Sequence, residues 1–115
     1  MTVRILHNPR CSKSRATLAL LQDRAIDPAI TLYLESPPSA GEIKSILEML
    51  GLEPRELMRK GEAEYAQLGL GDQDLSDDQL IAAMVANPRL IERPIVLANG
   101  KAAVGRPPES VLDIL

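Results

Sequence analysis

Val3-Arg4-Ile5-Leu6-His7-Asn8-Pro9-Arg10-Cys11-Ser12-Lys13-Ser14-Arg15-Ala16-Thr17-Leu18-Ala19-Leu20-Leu21 changes its periodicity once, around Pro9. Before that point, Val3 to Leu6 is a short apolar run suited to a buried strand, and His7-Asn8-Pro9 closes it. After it, from Ser12 or Ser14, the pattern is helical. Ala16, Leu18, Ala19, Leu20 and Leu21 give an apolar stripe, and a serine is the N-cap candidate. The helix is expected to fade over residues 23 to 27, ahead of Pro28. Ala29 to Leu34 then reads as a second strand with Ile30, Leu32 and Leu34 on one face. A strand, a helix and a strand joined this way predict parallel pairing through a right-handed crossover.

Downstream, Ser39 is a plausible cap for a helix carrying Ile43, Ile46, Leu47 and Leu50, with Gly51 as its stop. Pro54 opens a short helix containing Leu57 and Met58, and residues 62 to 68 read as helical too. Ser76-Asp77-Asp78-Gln79 has the form of a capping box, leading a helix through Leu80, Ile81, Met84 and Val85 to Pro88. Pro94 to Ala98 and Ala102 to Val104 are strands joined by the hairpin dipeptide Asn99-Gly100. Pro107-Pro108-Glu109 begins a last helix with Val111, Leu112 and Leu115 on one side. The order is β-α-β, a helical insertion over residues 36 to 89, then β-β-α. This is an α/β layout, that of the thioredoxin fold, read as one domain over residues 1–115.

Composition narrows the function. A formal charge of −3 supplies no broad basic field for nucleic acid, although a local arginine cluster can still hold a small anion. No apolar run is long enough to span a bilayer, and Met1 to Leu6 lacks the apolar stretch of a signal peptide. A single cysteine excludes an internal disulfide and favours a reducing cytoplasm. No dinucleotide-binding glycine motif is present, and one Cys with one His offers too few metal ligands.

Cys11 therefore carries the chemistry. Placed after a strand and at a helix start, it faces unpaired N–H groups and the positive end of the macrodipole, which favour a thiolate. Arg10, Lys13, Arg15 and His7 lie within a few residues, and the polar flanks argue against an inert buried cysteine. The same N–H groups can cradle a tetrahedral oxyanion. Ser14 stands where a dithiol oxidoreductase would carry its second cysteine, so an outside thiol has to finish any redox cycle. Ser14 can hydrogen-bond the thiolate, cap the helix, or do both. His7, at a strand end, is read as holding the loop rather than as acid or base. Arg59, Arg93 and Arg106 each sit at the edge of a predicted element, and Arg93 and Arg106 each precede a proline that favours extended backbone. A guanidinium fork suits an oxyanion, yet on spacing alone each of the three is best read as solvated surface.

Several motifs in one order carry a family resemblance. They are His7-Asn8-Pro9-x-Cys11-x-x-Ser14-Arg15, Tyr33-Leu34-Glu35-x-Pro37-Pro38, Leu57-x-Arg59-Lys60, Leu68-Gly69-Leu70, Glu92-Arg93-Pro94-Ile95-Val96 and Arg106-Pro107. Together they make the chain resemble the glutaredoxin-coupled arsenate reductase (ArsC) family. The resemblance implies that Cys11 attacks arsenate, that Arg59, Arg93 and Arg106 bind the oxyanion, and that His7, Ser14 and Arg15 support the thiolate. It further implies glutathione as co-substrate, glutaredoxin as partner, no bound cofactor or metal, and a monomer in the cytoplasm. Arg93-Pro94 matches a position that looks like the cis-proline of thioredoxin-like proteins. The chain carries Ser12-Lys13 where plasmid-type reductases have Gly-Thr, and it ends without their longer tail. It is similar in this to the short chromosomal members.

Two other functions fit the same fold. One is a regulatory protein like the Spx regulators, which contact RNA polymerase; their usual Cys-x-x-Cys switch is broken here by Ser14. The other is a glutathione-linked thiol transferase using Cys11 on disulfides.

Overall fold

The computed structural model describes residues 2–115; Met1, the first residue of the stretch read above for a leader, lies outside them. Strands β1 (Val3–His7), β2 (Ala29–Leu32), β3 (Ile95–Ala98) and β4 (Lys101–Val104) form one sheet in the order β2-β1-β3-β4. β1 pairs with β2 in parallel and with β3 antiparallel, and β3 pairs antiparallel with β4. Helix α1 (Ser12–Asp23) is the crossover between β1 and β2. This is the thioredoxin-like arrangement.

By its contacts the chain divides into two compact units, residues 1–36 with 93–115 and residues 37–92. The first unit holds the sheet, α1 and a 3-10 segment, Pro108–Ile114. Its core joins Val3, Ile5, Leu21, Val96, Ala98, Val111 and Ile114, all nearly or fully out of solvent. Each such large aliphatic side chain contributes about 1.5–3 kcal/mol by leaving water. The closing segment winds as 3-10 rather than α, so residues three apart share a side. Val111 and Ile114 go inward, while Leu112 and Leu115 are half-buried.

Two further departures from the sequence pattern have plain causes. β2 ends at Leu32, and Ile30, Leu32 and Leu34 share a face that is open to solvent, whereas Tyr33 points inward and is 1% exposed. β2 is an edge strand with β1 as its one neighbour in the sheet, and three of its four residues are exposed. On α1 the buried positions are Ser14, Thr17 and Leu21, and Ala16 and Ala19 are exposed. The inward face of this helix is small and polar in its first two turns, and its hydroxyls are hydrogen-bonded: Ser14 Oγ to His7 Nδ1 and the Asn8 N–H, Thr17 Oγ1 to the Lys13 carbonyl. The hairpin turn follows the sequence directly: Asn99 and Gly100 both have positive φ, 55° and 71°, as the tight turn between twisted strands requires.

The second unit contains α2 (Ala40–Leu50), α3 (Ala63–Gln67) and α4 (Asp77–Ala86), with 3-10 turns at Pro54–Leu57 and Pro88–Leu90. Ser39 Oγ accepts the Glu42 N–H at 3.1 Å, and Gly51 ends α2 in the left-handed conformation. α4 begins with the full capping box: Ser76 Oγ accepts Gln79 N–H at 3.2 Å, and Gln79 Oε1 accepts Ser76 N–H at 2.8 Å. Ile43, Ile46, Leu80, Ile81 and Met84 supply buried side chains from α2 and α4. A bridge between Met58 and Ile91 ties the middle of the unit to its last residues, with Arg59 N–H donating to the Leu90 carbonyl at 2.6 Å.

Candidate active site

The loop from His7 to Cys11 is held by Asn8 on three sides. Asn8 Oδ1 accepts the Arg10 N–H at 3.0 Å, its carbonyl accepts the Cys11 N–H at 3.0 Å, and its N–H donates to Ser14 Oγ at 3.0 Å. Arg15 adds a fourth tie, Nη1 donating to the Pro9 carbonyl at 2.9 Å. In the sequence Asn8 stands in a strand-ending Asn-Pro turn and in the His7-Asn8-Pro9 motif, with no role of its own assigned to it. Its side-chain and backbone bonding together are what fold the loop into one shape.

Cys11 is itself the N-cap of α1, with extended backbone (φ −97°, ψ 123°) and its carbonyl accepting the Arg15 N–H at 3.0 Å. The serines expected at that position are inside the helix. Ser14 lies in the first turn, fully buried, and turns its hydroxyl back to Asn8 and His7. His7 Nδ1 and Ser14 Oγ are 2.6 Å apart and share one proton, whose owner depends on the imidazole tautomer. Burial lowers the His7 pKa, and the nearby Arg15 charge lowers it further, so the ring is neutral at pH 7.

Cys11 is 9% exposed, which corrects the expectation that its polar flanks would keep it open. Its surroundings are nevertheless polar. Arg106 Nη2 lies 3.7 Å from Sγ, and Arg106 Nε donates to the Arg93 carbonyl at 2.8 Å. Burial alone would push the thiol pKa up. Hydrogen bonds from the Ser14 N–H, the Arg93 guanidinium and the Lys13 N–H, with the charge of Arg93, outweigh it and hold the pKa below the ordinary thiol value. Helix N–H groups and guanidinium favour the thiolate form of the sulfur, an arrangement that can attack an electrophile and stabilise an oxyanion around it.

The first unit thus brings together Cys11, His7, Ser14, Arg15, Arg93 and Arg106. Both X-Pro bonds beside the arginines, Arg93-Pro94 and Arg106-Pro107, are cis. Arg59 belongs to the second unit, where its Nε lies 3.3 Å from a Glu62 carboxylate oxygen; Arg89 Nη2 is 3.4 Å from the other oxygen of the same carboxylate. Beside the cysteine loop, a recess of about 230 Å³ is lined by His7, Asn8, Pro9, Arg10, Leu32, Leu34 and Glu35. Among the described residues, no group of three His, Cys, Asp or Glu side chains could hold a metal ion, and no helix is long and apolar enough to cross a membrane.

A thioredoxin-like scaffold thus sets one cysteine of lowered pKa beside arginines, and comparison with known proteins gives its class. The model of the ArsC family matches residues 6–114. An arsenate reductase of Neisseria meningitidis is 50% identical over 98% of this chain and 97% of its own length. The uncharacterized Escherichia coli K12 protein YfgD is 55% identical over 98% of this chain and 96% of its own. A solved arsenate reductase from Vibrio cholerae is 57% identical, with a TM-score of 0.98 over 100% of this chain and 98% of that one. The chain belongs to the ArsC family.

Proposed function

We propose that this chain reduces arsenate to arsenite through a covalent Cys11–arsenic intermediate, with glutathione and glutaredoxin supplying the electrons. The observation that carries the reading is the sulfur itself, placed at the α1 N-terminus with Arg106 Nη2 at 3.7 Å and the Arg93 guanidinium hydrogen-bonded to it. The activity named for the relatives supports the choice of oxyanion.

The residues divide the work. Arg93 and Arg106 bind the arsenate oxygens and offset their charge as the sulfur approaches. The Cys11 thiolate attacks arsenic; an S–As bond forms and one oxygen leaves as water after protonation. Glutathione displaces a second oxygen in the same way, giving arsenic(V) bonded to two sulfurs. An S–S bond then forms between Cys11 and glutathione; of the four electrons in the two broken As–S bonds, two make the S–S bond and two stay on arsenic, which takes up water and leaves as arsenite. A glutaredoxin thiolate attacks the glutathione sulfur and releases Cys11. Ser14, holding the position of a second cysteine, leaves this last step to an outside thiol. His7, Ser14 and Arg15 keep the loop in shape while the sulfur changes partners. A monomer in the reducing cytoplasm, with no bound cofactor, meets all these needs.

The test is a coupled assay with glutathione, glutaredoxin, glutathione reductase and NADPH. NADPH oxidation is expected only when arsenate is added. Turnover on a mixed disulfide without arsenate would replace this reading with a thiol transferase. Polymerase binding with no turnover would replace it with a regulator.

A further inference from the structure

Gly105 follows β4 and is the point where the two arginine-bearing segments meet α1. Its N–H donates to the Pro94 carbonyl at 2.9 Å, and the next residue's Nε donates to the Arg93 carbonyl at 2.8 Å. Residues 93–94 and 105–106 are therefore laced together. A Cβ on Gly105 would lie 2.4 Å from Thr17 Oγ1, 2.7 Å from Pro94 Cγ and 3.2 Å from Pro94 Cδ. Neither neighbour is a loose side-chain end. Thr17 is fully buried and its hydroxyl donates to the Lys13 carbonyl at 2.8 Å, while the Pro94 ring is fixed to the backbone. Gly105 is not among the glycines with positive φ, so its position uses the missing side chain rather than backbone freedom.

Thr17 and Cys11 ride on the same helix. Wherever the 105–106 segment rests on Thr17, the neighbouring guanidiniums are placed relative to the sulfur. We propose that Gly105 is a positioning residue: its lack of a side chain lets both arginine segments close onto Thr17, and this sets the reach of Arg93 and Arg106 to Cys11. A methyl group there would have to push the segments off α1 by about 1 Å to regain ordinary contact distances. A misplacement of that size can cost up to about 100-fold in rate.

The inference rests on the thiolate reading for its consequence, so its test reads the thiol directly and needs no arsenate. Gly105→Ala is expected to raise the Cys11 pKa by roughly half a unit or more and to slow alkylation near neutral pH. In protein carrying Arg93→Ala and Arg106→Ala, the same glycine replacement is expected to leave the titration unmoved. An unchanged pKa in the otherwise native chain would overturn the proposal, and so would an equal rise with and without the arginines. Where Gly105→Ala alone does not fold, adding Thr17→Ala removes the tightest contact, and the same pair of titrations is made on that variant with the same two criteria. Failure of arsenate turnover in the native chain would remove the reductase reading and leave this result standing.

Discussion

Helix α1 starts differently from α2 and α4, and the two kinds of start use the same backbone chemistry for opposite ends. α2 and α4 begin as stable helices do: Ser39 and Ser76 oxygens accept first-turn N–H groups, and Glu42, Asp77 and Asp78 add negative charge there. α1 has no side-chain oxygen on its first N–H groups and no acidic residue in its first turn. Its free donors point at Cys11 Sγ, and Lys13 and Arg15 stand in place of carboxylates. A helix N-terminus holds a negative partner in each case. In α2 and α4 that partner is permanent and contributes stability. In α1 it is the Cys11 sulfur, whose charged form those donors favour.

That contrast can be broken from either side. The largest effect is expected from Cys11→Ser, which turns α1 into a helix of the ordinary capped kind. Turnover in the coupled assay should vanish, while thermal unfolding should show a stability equal to the native chain or higher by up to about 1 kcal/mol. A residual rate would mean that another group attacks the substrate. Next come Arg93→Ala and Arg106→Ala. Each is expected to lower kcat/KM by about one to three orders of magnitude, as loss of one oxyanion donor does in other enzymes. Unchanged kinetics would remove that arginine from the pocket.

The pH profile sharpens the comparison. Because the Cys11 pKa is lowered, the reactive thiolate prevails above that value and is lost as pH falls through it. The acid limb of the rate should coincide with the thiol titrated in the free protein, below the ordinary thiol range of about 8.5. A limb at the ordinary value would mean that the N–H groups and arginines leave the sulfur unactivated. The smallest effect is expected at the other kind of helix start. Ser76→Ala breaks the α4 capping box and should cost about 1 kcal/mol in denaturant unfolding, with the Cys11 titration unmoved. A shifted thiol pKa would show that the two helix starts are not independent.

Much of this architecture is legible in the chain because its signals are local. Pro9 after an apolar run, Ser76 with Gln79, Gly51 after a helical stripe and Asn99-Gly100 each act within a few residues, and the structure forms the element expected at each. Where the signal depended on neighbours, the pattern misled. The apolar residues of β2 share a face that nothing in the sheet covers, and the polar Ser14 and Thr17 occupy the buried side of α1. The closing helix follows the same rule: its 3-10 winding selects Val111 and Ile114 in place of the 3.6-residue stripe.

The sequence alone singled out Cys11 as the candidate nucleophile, as the one cysteine it contains and as a residue between a strand and a helix start. Only the tertiary structure decided which cations meet that sulfur. Arg93 and Arg106 lie more than 80 residues from Cys11 in sequence. Each precedes a proline, but that local mark does not say that the two side chains meet at one sulfur. They converge because β3 and β4 pair beside β1 and because Gly105 leaves no side chain between their segments and Thr17. Charge type is written residue by residue, but distance between charges is a property of packing, and the chemistry depends on the distance.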